Sequence, residues 1–179
     1  MNNELHAAWN GLCEYIGYRF QNMELLKLAL THKSFTEFES TTGERNNEKL
    51  EFLGDAILDM AISEMLMERF PELEEGGLSK FRASLVNEDG LANIARKLEL
   101  GNYLLMGKGE DLSGGREKSS LLADAMEALF AAVYLDSREK QGFAAVSKLI
   151  CNLYEAELPE QADSFISRDY SRYIFLFCT

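Results

Sequence analysis

The chain has 179 residues, 46% of them hydrophobic and 27% charged, with 30 acids against 18 bases for a net charge of −12. This composition describes one folded domain with or without a tail, and it excludes a disordered or low-complexity protein. It also argues against a general nucleic-acid coat protein or a basic membrane-surface binder, so an acidic chain acting on phosphates needs a local device such as metal ions.

Helical periodicity dominates. Leu5, Ala8, Leu12 and Tyr15-Ile16 predict a first helix, and Asn22 caps a second that carries Leu25, Leu26, Leu28 and Ala29. Residues 35–47 are polar and read as a loop. A long helix is expected from Glu48 to the stop at Phe70-Pro71. Gly76-Gly77 then precede a helix through Leu78, Phe81, Leu85 and Val86. Asn87 caps the next, which carries Leu91, Ile94, Ala95 and Leu98 and ends at Gly101. The four glycines between Gly107 and Gly115 predict a loop. A very apolar helix follows over 119–135, and a last one over 139–157. Beyond Pro159 the pattern breaks, and Tyr173-Ile174-Phe175-Leu176-Phe177-Cys178 forms an apolar run. The expectation is an all-α domain with a divergent tail.

Cys13, Cys151 and Cys178 are widely spaced and form no CxxC or Cys/His cluster. Neither a disulfide framework nor a zinc site is suggested, and a reducing, cytoplasmic setting is the simpler expectation. No export signal is apparent at Met1-Asn2-Asn3-Glu4, and no apolar run approaches the ~20 residues that span a bilayer.

Two helices carry unusual carboxylates. On the first, Glu48, Glu51, Asp55 and Asp59 share one stripe, with Leu50, Leu53, Ile57, Met60 and Ala61 opposite. A solvated acidic face is the ordinary explanation. Yet Leu58, Ile62 and Leu66 continue the same side, so the helix looks central, and acids on a central helix need a reason. The 119–135 helix holds only two charges, Asp124 and Glu127, three residues apart and therefore on one face. They could point to water, pair with distant bases, or form a functional cluster. If the two helices face each other, Glu51, Asp55, Asp124 and Glu127 converge. Each pair ~5 Å apart repels by about 3 kcal/mol at an effective dielectric of 20. Such a cluster demands protons or cations. Two divalent ions would balance the four charges, and oxygen-only ligands favour Mg²⁺ or Mn²⁺. A pair of such ions suits phosphodiester hydrolysis.

Glu48-Lys49-Leu50-Glu51-Phe52-Leu53-Gly54-Asp55-Ala56 closely resembles the signature of the ribonuclease III family. Leu28-Ala29-Leu30-Thr31-His32-Lys33-Ser34, Glu75-Gly76-Gly77-Leu78-Ser79 and Arg82-Ala83-Ser84-Leu85-Val86 resemble further motifs of that family, in its order. So do Gly107-Lys108-Gly109-Glu110, Ser113-Gly114-Gly115-Arg116 and Leu122-Ala123-Asp124-Ala125-Met126-Glu127-Ala128-Leu129.

The resemblance implies an all-helical, homodimeric nuclease domain over 1–157. It implies a Mg²⁺-dependent endonuclease (Mn²⁺ substituting) that cuts double-stranded RNA by a two-metal-ion mechanism and leaves 5′-phosphate and 3′-hydroxyl ends. No membrane and no small-molecule cofactor are expected. By position, Asp55 and Glu127 match the active-site residues. Glu51, Asp124 and Glu127 match the direct metal ligands, with Asp55 completing the metal-site acids. Glu48 and Glu75 match accessory acids of the substrate cleft. Phe52 matches the aromatic that plugs into the partner subunit; its alternative is to fill this chain's own core. His32 with Lys33, and Lys108 with Arg116 and Lys118, are either phosphate contacts or ordinary surface charge. Bacterial members usually continue into a duplex-RNA-binding domain, whereas residues 158–179 form only a linker and divergent tail. Two rivals remain: a non-cleaving duplex-RNA-binding or dimerisation module, and a helical nucleotide phosphohydrolase. The latter's adjacent His and Asp ligands are absent, since the only histidines are His6 and His32.

Overall fold

The computed structural model describes residues 2–38 and 40–158, with side chains from Trp9 onward. The expected linker and apolar tail beyond Leu158 lie outside the described residues. Helices α1 (Asn2–Ile16), α2 (Met23–Ala29), α3 (Glu48–Arg69) and α4 (Glu75–Leu85) come first. They are followed by α5 (Glu88–Lys97), α6 (Lys108–Leu112), α7 (Ser119–Ser137) and α8 (Phe143–Tyr154). Among the described residues there is no strand. One isolated bridge joins Thr31 to Leu105, so the all-α expectation holds.

Helix α7 is the axis of the fold. Ala125, Met126, Leu129, Phe130 and Ala132 have no exposed surface. Around it pack α2, α3, α5 and α8, with α3 making the most extensive contact. The small residues of α7 let neighbouring backbones approach, while Met126, Leu129 and Phe130 fill the space between them. Asn22 and Asn87 cap α2 and α5 as expected: their side-chain oxygens accept from the backbone N–H of Glu24 at 3.0 Å and of Gly90 at 2.8 Å. Phe70, just before Pro71, ends α3 and packs its ring 5.3 Å from that of Phe81.

Several boundaries differ from the sequence expectation, among them the end of α5 at Lys97 rather than Gly101 and of α8 at Tyr154 rather than Glu157. Gly76 and Gly77 lie inside the first turn of α4 rather than before it. The glycine-rich 107–115 stretch contains the short helix α6. It is held by Gly107, whose N–H donates to Ser34 Oγ at 2.9 Å, and by Arg116, which donates to Asp111 at 2.8 Å. Helix α7 continues two residues past Leu135 and thereby acquires Asp136. Helix α8 begins at Phe143 rather than Glu139, because the carbonyl of Ser137 gathers the N–H groups of Lys140, Gln141 and Gly142 into a turn. Gly142 sits at φ 50°, where a side chain would be strained.

Helix α3 is not buried all round. Leu50, Ile57, Leu58, Ala61, Ile62, Met65 and Leu66 are buried, but Phe52 is 84% exposed, Met60 59% and Met67 63%. With Ala56 these residues form one exposed stripe along α3. Phe52 therefore does not fill this chain's own core. No helix among the described residues is long and apolar enough to cross a membrane.

Candidate metal centre

The site is made by the crossing of α3 and α7. Gly54 of α3 is pressed against the backbone of Glu127 on α7, so closely that a Cβ there would overlap the Glu127 carbonyl. A glycine in mid-helix costs about 1 kcal/mol relative to alanine. Here the cost yields a contact that no other residue permits. Because Gly54 lies between Glu51 and Asp55, the close approach sets the α3 acids beside Asp124 and Glu127.

Glu51, Asp124 and Glu127 each place a carboxylate oxygen within 4.8 Å of the other two, and all three are half-buried. Asp55, exposed on the same stripe, stands outside this closest trio. It still contributes the strongest charge repulsion on Glu127. The sequence pattern anticipates four converging acids; the structure brings three together with Asp55 beside them.

The electrostatics follow from this packing. Burial first, and then repulsion from Asp55, Glu51, Asp124 and Asp59, pushes the Glu127 carboxyl up to about 8. Burial and Asp124 raise Glu51 above the ordinary carboxylate range. Burial and Glu88 raise Asp124, while His32 and Lys33 oppose the rise. The cluster thus holds more negative charge than it tolerates alone. Three close, half-buried oxygen donors with suppressed ionisation fit a hard divalent cation, which relieves the repulsion that otherwise draws in protons.

The remaining candidates sit further out. Glu48, one turn before Glu51, is exposed and accepts from Lys33 Nζ at 3.3 Å. Glu75, at the exposed start of α4, accepts from Ser79 Oγ at 2.8 Å. His32 is half-buried, its Nδ1 2.8 Å from Ser34 Oγ, and burial lowers its proton affinity. Arg116 is a strut: its Nη1 donates to the carbonyls of Gly101 at 2.7 Å and Leu104 at 3.0 Å. Lys118 closes onto Glu110 at 2.5 Å.

Sequence reasoning missed two participants. Glu88 opens α5 and reads as an ordinary acid at a helix N-terminus; only the packing of α5 on α7 brings its field onto Asp124. Arg82 lies 3.7 Å from Asp59 and donates to Ser63 Oγ at 2.9 Å, tying α4 to the acidic stripe of α3. No spacing signal connects residues so far apart.

Comparison with known proteins agrees with this geometry. A family model described as Ribonuclease-III-like matches residues 22–156. The chain is 50% identical over 155 residues to Ribonuclease 3 of Caldanaerobacter subterraneus subsp. tengcongensis, covering 87% of this chain and 66% of that protein. It is 44% identical over 158 residues to Ribonuclease 3 of Oleidesulfovibrio alaskensis, covering 88% of this chain and 67% of that one. The chain thus spans about two thirds of these relatives' length. Among solved structures, the nuclease domain of ribonuclease III from Campylobacter jejuni superposes with a TM-score of 0.74 at 43% identity, covering 83% of this chain and 96% of that one. That structure is described for flexibility in the region involved in dimer formation. With the family match across most of its length and the acid-bearing helices crossing as described, the chain belongs to the ribonuclease-III-like family.

Proposed function

We propose that this protein is an endoribonuclease that hydrolyses double-stranded RNA in RNA processing. The reading is carried by one observation: Glu51, Asp124 and Glu127 converge within 4.8 Å where α3 crosses the mostly apolar α7. In a chain of this family, such a cluster is matched to phosphodiester chemistry. Glu51, Asp124 and Glu127 would hold divalent cations, with Asp55 beside them, and oxygen-only donors select Mg²⁺ or Mn²⁺. Bound cations supply Lewis acidity and a more acidic water, the requirements of phosphodiester hydrolysis. Water adds to phosphorus and the bond to the 3′ oxygen breaks, leaving a 5′-phosphate and a 3′-hydroxyl. Asp55 and Glu127 are the residues assigned to the reacting centre, and Glu48 and Glu75 line its approaches.

The exposed α3 stripe supports a homodimer. Phe52, Ala56, Met60 and Met67 present apolar surface that the single chain leaves in water. A second copy covering it sets two cation sites across one duplex, so both strands are cut. The nuclease domain is assigned to 1–157, with 158–179 as a linker and tail. The cytoplasm is the compartment in keeping with free Cys13 and Cys151.

The test is incubation of the purified chain with a long, perfectly paired RNA, with Mg²⁺ and with a chelator. Fragments bearing 5′-phosphates in the Mg²⁺ arm alone are expected. Binding without cutting would favour a non-cleaving duplex-binding module instead.

A further inference from the structure

A chain of net charge −12 must bring a polyanion up to a cluster of carboxylates. Some cation at the rim has to receive the RNA backbone. The structure sorts the basic residues near this end. Arg116 is committed to the carbonyls of Gly101 and Leu104 and to Asp111. Lys118 is committed to Glu110 and to Ser113 Oγ at 3.3 Å. Lys33 differs. Its side chain is 65% exposed, and its partner is Glu48, whose side chain is 55% exposed and whose carboxylate lies 3.3 Å from the ammonium. An ion pair so open to water is weak and exchanges readily for another anion.

The backbone beneath Lys33 is fixed. The N–H of His32 donates to the Leu105 carbonyl at 2.9 Å, and that of Leu105 to the Leu30 carbonyl at 2.8 Å. The N–H of Asn47 donates to the Thr31 carbonyl at 2.9 Å, and Gly107 N–H to Ser34 Oγ at 2.9 Å. A long, exposed side chain thus projects from a fixed turn and reaches Glu48, one turn of α3 before Glu51. Its field reaches Glu51 and Asp124 and favours their ionised forms. Burial lowers the proton affinity of the neighbouring His32.

We propose that Lys33 is a substrate-contacting residue, which leaves Glu48 to receive a backbone phosphate of the RNA at the edge of the Glu51/Asp124/Glu127 cluster. Glu48 is then a positioning residue that holds the ammonium beside the cluster between substrates. The assignment rests on the double-stranded-RNA endonuclease reading.

The experiment measures Mg²⁺-dependent cleavage of a long RNA duplex across a salt series by the full chain, Lys33→Gln, Lys33→Arg and Lys148→Gln. Lys148, exposed on α8, is the charge-matched control. Lys33→Gln is expected to raise KM about tenfold with kcat within about twofold, the size of one lost charge-assisted contact. It should also make the slope of log kcat/KM against log salt shallower by about 0.9, the signature of one phosphate contact. Lys33→Arg should restore both, Lys148→Gln should match wild type, and Mn²⁺ should still bind Lys33→Gln without RNA, because Lys33 only biases the charge of Glu51 and Asp124 and does not hold the cation. An unchanged KM and salt slope in Lys33→Gln would overturn the assignment. So would a fall in kcat and Mn²⁺ affinity at constant slope, which would mark a merely structural pair. A wild-type chain that cuts no duplex would overturn the endonuclease reading itself and this inference with it, whereas a cutting wild type with an indifferent Lys33→Gln overturns this inference alone.

Discussion

Gly54 of α3 lies directly against the peptide carbonyl of Glu127 on α7, with no space for a Cβ between them. The obstacle is backbone on both sides, so no side-chain rotation relieves it. Gly54→Ala must push the two central helices apart. Overpacking of a well-filled core costs about 1–3 kcal/mol, and a backbone obstacle places this case at or above the upper end. For a chain of this size that corresponds to a fall in Tm of roughly 6–12 °C. Thermal melts check the loss. Cleavage should fall further than stability does, because the separation also opens the Glu51/Asp124/Glu127 cluster.

Glu127 governs a pH dependence whose sign is opposite to that of a salt-bridged acid. Its carboxyl is pushed up to about 8 in the folded chain, above its ordinary value of 4.5. Between those values the folded state holds a proton that the unfolded state has released. The contribution of Glu127 to the stability of the cation-free protein is therefore fully present below its ordinary value of 4.5 and is lost as pH rises through about 8. Denaturant unfolding in a chelator should show this decline. Glu127→Gln should flatten it, and added Mg²⁺ or Mn²⁺ should reverse it by binding the ionised site. Glu127→Ala should abolish cleavage in Mg²⁺ while the helical circular dichroism persists. Undiminished cleavage would remove Glu127 from the reacting centre.

Much of this site is legible in the sequence because it lies within two helices. The 3.6-residue period alone puts Glu51 and Asp55 on one stripe and Asp124 beside Glu127. The acid pair within an otherwise apolar helix is likewise visible in the order of residues. What periodicity does not carry is the angle between those helices, so it yields four converging acids, and only the family resemblance sets Asp55 apart from the Glu51/Asp124/Glu127 trio. The same limit hides Glu88 and Arg82, whose influence passes between helices. Helix boundaries fail for a different reason: Gly142 and the Ser137 carbonyl form a turn through backbone groups that every residue possesses. The burial of α3 misleads because Phe52, Met60 and Met67 are apolar for an exposed face, and periodicity cannot separate a core contact from a partner contact.

That exposed face gives a prediction about assembly. Phe52 is 84% exposed, so its removal takes little from the folding of one chain. Phe52→Asp is expected to turn a dimer into a monomer in sedimentation velocity, with the circular dichroism spectrum preserved. Met60→Lys should weaken the dimer in the same way, since it lies two turns further along the stripe. A wild-type chain that sediments as a monomer at micromolar concentration would remove this stripe as the interface.

Asp136, acquired by the two extra residues at the end of α7, anchors the α1–α2 side of the fold. Its carboxylate accepts from the backbone N–H groups of Gln21 and Asn22, both at 2.8 Å, and from the Tyr18 hydroxyl at 2.8 Å. Burial and then the bond to Asp136 push the Tyr18 phenol above its ordinary range. These three contacts fix the α1–α2 turn, and with it the Asn22 cap of α2, against α7. Hydrogen bonds to a charged group contribute about 1.5–3 kcal/mol each, and contacts sharing one partner do not add fully. Asp136→Ala is expected to destabilise the chain by about 2–4 kcal/mol, since all three donors lose their acceptor at once. Urea unfolding checks the size. Asp136→Asn keeps one acceptor oxygen and should recover part of the loss. Because Asp136 lies about 14 Å along α7 from Glu127 and its partners are Tyr18, Gln21 and Asn22, the variant should leave the affinity for Mn²⁺ within about twofold of wild type, as expected for distant sites that share no partners.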